Sequence, residues 1–174
     1  MLSALWALLR AFGGVCIFQL APQDLPRSST LLAVTTLGNM GLSVVIYSLE
    51  SSFGQALFKA VLETAVLFGL TFVLLFVLSH GRRLTQTMTA MMGCGALLGA
   101  IALSTMVLAP VLPPDLGLAL LRVNFLLNLL VIAHILRHAV GTWFLVGLLF
   151  AFGYALLLNK FFMLADALLG VAPA

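Results

Sequence analysis

Glu63 is an acid inside a long apolar run, and Lys59 lies four residues before it. An ionisable group surrounded by hydrocarbon is costly and demands a partner or a task. At helical spacing Lys59 and Glu63 share a face and can neutralise each other, although lysine preceding glutamate is the weaker order. Arg122, at similar depth in a later apolar run, is the rival partner. A Glu63–Arg122 bridge would join two helices and line a cavity open to one side of a membrane. The plainer alternative has Lys59 and Arg122 extending to the headgroups while Glu63 pairs locally.

Two polar stripes accompany these charges. Thr35, Asn39, Ser43 and Tyr47 recur every four residues, and Asn124 and Asn128 are also four apart, on a face turned away from Arg122. Such stripes most often hydrogen-bond between helices, worth roughly 0.6–2 kcal/mol each, and that is the plainer reading here. They can also line a solute path. Gly95 and Gly99 form a GxxxG beside Gly93 and Ala96, and small residues repeat at Gly147, Ala151 and Ala155 and at Ala56 and Ala60. This spacing permits close backbone approach, inside one bundle or between copies.

His134 and His138 are four apart and could share a metal, or one could face His80 across a haem. All three, however, sit near helix ends beside Arg82 and Arg137, where histidine is an ordinary interfacial residue, and a bis-histidine haem needs ligands facing each other inside the bundle. No metal or cofactor is therefore expected. Cys16 and Cys94 lie in apolar segments without a CxxC motif and read as small packing residues. There is no GxSxG, HExxH or P-loop pattern, and five acidic residues are too scattered for a dimetal site. No catalytic residue is assigned, and the expectation is a non-enzymatic protein.

Of 174 residues 63% are hydrophobic and only 7% charged, with a mean hydropathy of +1.24. A soluble domain carries about 25% charged residues and cannot hide this much apolar surface at this size. Lipid resolves the problem, and unbroken apolar runs favour helices over the alternating strands of a barrel. A span needs about 20 apolar residues. Five segments qualify: Ser29 to Leu49, Ala56 to Ser79, Thr87 to Leu112, Leu116 to Arg137 and Thr142 to Asn159. Pro113-Pro114-Asp115 breaks the third from the fourth, and Arg137, His138 and Gly141 form a helix C-terminal pattern. Such short connections predict antiparallel neighbours. Residues 3–20, with Arg10 and Gly13-Gly14, fit an interfacial or re-entrant helix better than a sixth span. Residues 161–174 are too short to cross and are expected to lie at the interface. The reading is one all-α membrane domain, a polytopic bundle of about five transmembrane helices preceded by a short interfacial or re-entrant helix.

The first residues lack a basic region and a convincing small-residue cleavage site, so they are read as mature protein. With a cytoplasmic N-terminus, the inner side receives Arg10, Arg27, Arg82, Arg83 and Arg137. The outer loops, 50–55 and 113–115, and the tail after Lys160 carry no lysine or arginine, while Glu50, Asp115 and Asp166 fall there. The positive-inside rule then predicts N-in and C-out, in a membrane of bacterial inner-membrane type. The net charge of +3 makes no basic patch with interleaved aromatics, so no nucleic acid is expected.

Ala21-Pro22-Gln23-Asp24-Leu25-Pro26-Arg27-Ser28 is the least lipid-like stretch. Its prolines block helix continuation, and Ser28 or Ser29 can cap the first span. Following a short apolar helix, it resembles the G-P-Q-D-L-P-x-S segment of small proteobacterial inner-membrane proteins, which look like five-helix Yip1-type membrane proteins. Ala21 stands where that segment has glycine, and no D-L-Y-G-P-like motif is present. The resemblance implies a role in membrane organisation or trafficking and supplies no catalytic residues. The leading expectation is a protein that binds lipid, other membrane proteins or a second copy, with Asp24, Arg27, Gly95 and Gly99 as contact candidates. The alternative is a small transporter or channel using Asn39, Asn128, Glu63 and Arg122, and the third is a haem or metal subunit using the histidines.

Overall fold

A computed structural model describes residues 2–168. The chain is all-α, with no strand among the described residues. A short helix α1 (Leu2–Cys16) precedes α2 (Ser29–Ser48), α3 (Phe53–Val77), α4 (Leu84–Leu108), α5 (Pro114–Val140) and α6 (Phe144–Leu168). The last five are each long and apolar enough to cross a membrane.

Local chemistry sets the helix ends. Ser28 Oγ accepts from the Leu31 N–H at 3.2 Å and starts α2. Gln55 reaches back to the Ser52 N–H at 3.2 Å and starts α3. Gly141, at φ 74°, closes α5 by donating its N–H to Arg137 O at 2.8 Å, a left-handed cap that costs glycine nothing.

The helices form a ring in the order α3, α2, α4, α5, α6, with α6 returning to α3. This departs in one place from the expectation that sequential helices are neighbours. α3 and α4 are joined by a short turn, yet α4 packs mainly on α2. The GxxxG of α4 explains the preference. A Cβ on Gly95 would meet Asn39 Oδ1 at 2.7 Å, and one on Gly99 would meet Leu42 Cδ2 at 2.9 Å. With no side chain at these two positions Asn39 and Leu42 of α2 pack directly against α4, and without a hydrophobic drive inside lipid such close packing favours this helix order.

A second correction concerns the end of the chain. Residues 161–168, expected as part of an interfacial tail, continue α6 without a break, and the span runs past Asn159. No proline or glycine interrupts Phe161–Leu168, and the one acid there, Asp166, is neutralised by a lysine of α3. The remainder of that tail, 169–174, lies outside the described residues.

One end of the bundle gathers Arg27, Arg83 and His138 and is termed the arginine end. There the 21–28 segment is fastened to the bundle. Gln86, 6% exposed, donates to Gln23 O at 2.9 Å and Leu25 O at 2.7 Å and accepts from Arg27 Nε at 3.0 Å. Gln23 Nε2 donates to His138 O at 2.6 Å. Behind this segment α1 docks on α4: Phe12 and Val15 are buried, the Phe12 ring lies over Gly93, and Cys94 Sγ donates to Phe12 O at 3.6 Å. Outward-facing Val73, Phe76, Leu126 and Leu149 form the apolar belt that lipid covers.

Candidate functional site

The five spans enclose a cavity of about 410 Å³. Its polar lining comes from every helix of the ring: Asn39, Ser43 and Tyr47 from α2, Glu63 from α3, Cys94 from α4, Asn124 and Asn128 from α5, and Tyr154 and Asn159 from α6. The two stripes legible in the sequence thus face one space. Thr35 does not join them, because its hydroxyl bonds back to Leu31 O and Leu32 O within α2. Glu63, counted at about 1.5 Å per residue from Phe53, lies about 15 Å into α3.

Glu63 is held by α2 and not by a cation. Tyr47 Oη donates to Glu63 Oε2 at 3.0 Å, and Ser43, one turn earlier on α2, lines the same space. Tyr47 is itself steadied by an edge-to-face contact with Phe162, ring centroids 5.6 Å apart. Neither cation expected to pair with Glu63 does so. Lys59 Nζ instead pairs with Asp166 at 2.8 Å, and Arg122 is exposed on the outer surface and does not line the cavity. The Lys59–Asp166 pair is invisible from the sequence if Asp166 belongs to an interfacial tail. Once α6 continues, the acid comes alongside α3.

With side chains 18% and 29% exposed, this pair ties α3 to α6 and closes the ring. Asp166→Asn is expected to lower stability by about 1–2 kcal/mol, between the values for exposed and fully buried pairs. Lys59→Met combined with Asp166→Leu should recover most of that loss. Unfolding in graded detergent mixtures reads both effects.

The cavity's polar groups are only partly satisfied. Among the described residues, Asn124 Oδ1 is buried without a hydrogen-bond partner, a state that ordinary helix-to-helix bonding would avoid. Toward the arginine end the space stops at Met91, Val131, Ile132 and Ile135. Toward that end the same buried core continues through Val15, Leu25 and Met88. In the opposite direction the lining continues to Tyr47, Asn159 and Phe162, near the end where Glu50 follows α2. The lining therefore ends short of α1 and the 21–28 segment and extends toward the opposite end of the bundle.

The remaining candidates sit elsewhere. Asp24 Oδ2 accepts from the Ala21 N–H at 2.8 Å, and Asp24 and Arg27 are both exposed at the arginine end. Gly95 and Gly99 face α2 within the chain, which removes them from the surface open to a second copy. His134 Nε2 is 3.0 Å from Leu20 O, and its ring meets that of His138 edge to face, centroids 4.6 Å apart. The Arg137 guanidinium lies 3.1 Å from His138 Nε2, an unfavourable neighbour for a bound metal. Among the described residues no three His, Cys, Asp or Glu side chains converge on a metal position.

Sequence reasoning misses Tyr154, Asn159 and Gln86. Tyr154 and Asn159 lie five apart in an apolar run and make no stripe, and Gln86 stands just ahead of the start assigned to its span. Comparison with protein-family models, curated proteins and solved structures finds no match to this chain.

Proposed function

We propose that this chain is a multi-pass protein of a bacterial inner membrane that binds a small polar solute between its five spans and passes it across, without covalent chemistry. The supporting observation is the cavity lining, in which, among the described residues, Glu63 has no cation partner and Asn124 Oδ1 has no partner at all. A purely structural polar core would bond these groups to one another. A cavity of this volume falls in the range of small-molecule sites, about 300–1,000 Å³. The lysine and arginine bias supports a cytoplasmic location for the arginine end.

The contact-surface reading has less support. Gly95 and Gly99 are occupied by α2, and Asp24 and Arg27 are bonded within the chain even though they remain exposed.

The test is access of water to the cavity. In a Cys16→Ala/Cys94→Ala background, Ser43→Cys and Asn124→Cys are expected to react with a membrane-impermeant thiol reagent. Val73→Cys and Leu149→Cys, on the lipid face, are expected to stay unmodified. Silence at both cavity positions would mean a dry polar core and end the solute reading.

A further inference from the structure

Charge narrows the solute further. Among the described residues the cavity lining contains one carboxyl, Glu63, and no lysine or arginine. The nearest lysine on the same helix, Lys59, is committed to Asp166 at 2.8 Å, and Arg122 is exposed away from the cavity. The titratable groups facing the space from the packed elements are Tyr47 on α2, Cys94 on α4 and Tyr154 on α6. None of them supplies positive charge, and α5 contributes the amides of Asn124 and Asn128. A bare carboxylate inside a bundle surrounded by lipid is strongly disfavoured. Either a proton or an incoming cation must neutralise it.

We infer that the cavity is a site for a small organic cation bearing an ammonium group, which takes the place of the Glu63 proton when it binds. This rests on the solute-binding reading above. An ammonium presents three N–H donors and no acceptor. The lining offers matching acceptors: the Glu63 carboxylate and the side-chain amides of Asn124 and Asn128 on one face of α5, the first of which has its Oδ1 unpartnered within the chain. Phe125, Tyr154 and Phe162 supply aromatic surface, suited to the organic part and to cation–π attraction. A hydrated metal cation would have no use for these rings. In the exchange, the Glu63 carboxyl gives up its O–H proton to water and the ammonium keeps all of its own. One proton therefore leaves for each cation bound, and net charge in the cavity is unchanged.

The experiment uses the full chain in lipid nanodiscs with benzylammonium as probe, and benzyl alcohol and benzoate as neutral and anionic analogues of the same shape. Equilibrium binding and proton release into weak buffer are read together. Benzylammonium should bind at least about tenfold more tightly than benzyl alcohol, the scale of one charge-assisted contact, and release about one proton. Glu63→Gln, which keeps an acceptor for Tyr47, should abolish both the preference and the release. Asn124→Leu should weaken benzylammonium about tenfold while leaving benzyl alcohol unchanged, and it serves as the test if the Glu63 variant fails to fold. Equal binding of the three probes, a preference that survives Glu63→Gln, an unchanged affinity in Asn124→Leu, or displacement by millimolar sodium or potassium would each overturn the inference. If the cavity cysteines label but no cation preference appears, this inference alone fails. If they do not label, the solute reading fails with it.

Discussion

Gly147→Ala is expected to lower stability by about 2–3 kcal/mol, the upper range for a forced overpacking. A Cβ at this position would fall on the Ala133 carbonyl oxygen, closer than any real Cβ contact, and 3.2 Å from Arg137 N. Both obstacles are α5 backbone, so no side-chain rotation relieves them and the two helices must move apart. The separation would be felt at the site, because α5 carries Asn124 and Asn128 and α6 carries Tyr154. Gly153→Ala provides the contrast within the same helix, since its Cβ would meet nothing within 4 Å. That change should be neutral, or stabilising by up to about 1 kcal/mol through helix propensity. Unfolding transitions of the two variants, measured side by side, check the pair. Similar transitions would mean that α5 and α6 are not in close contact at Gly147.

The second large effect is expected at Gln86. Gln86→Leu preserves bulk but strands Gln23 O, Leu25 O and the Arg27 guanidinium, all bonded to this one amide. Unsatisfied buried groups cost about 1–3 kcal/mol each, and partial access to water at the arginine end lowers the total to roughly 3 kcal/mol. The loss should be local in character. Residues 21–28 should become open to proteolysis, and α1, docked on α4 through Phe12 and Val15, should lose its tether. Gln86→Glu should be no better, because the carboxylate keeps the Arg27 contact but faces two carbonyl oxygens as a second acceptor. A segment that stays resistant to protease in Gln86→Leu would contradict the fastening described here.

Much of this architecture is legible in the residues, and the reasons are physical. Spans announce themselves because hydrocarbon tolerates little but apolar helix. The Asn39–Ser43–Tyr47 and Asn124–Asn128 stripes are visible because a four-residue period puts them on one face, although period alone cannot say whether two stripes bond or enclose a space. In the folded chain both line one cavity, and Asn124 Oδ1 is left without a partner among the described residues. Charge pairing is less legible. Lys59 has Glu63 at ideal helical spacing, yet its partner is Asp166, a residue of the last helix whose approach depends on where α6 ends. Gln86 gives no signal at all, since a lone polar residue at a span boundary reads as interfacial, and only the folded 21–28 segment supplies the carbonyls it holds.

The most direct measurement is sided labelling of Asn128→Cys in sealed vesicles of known orientation, in the Cys16→Ala/Cys94→Ala background. Asn128 lines the cavity deep in α5, and the buried Met88, Ile132 and Ile135 lie between it and the arginine end. An impermeant reagent supplied from the side opposite the arginine end should modify it, while the same reagent on the arginine-end side should not until the packing of α1 and the 21–28 segment is loosened by Gln86→Leu. Modification from the arginine-end face alone in the unaltered background, or from neither face, would contradict a solute cavity that extends from the opposite face and is closed at the arginine end.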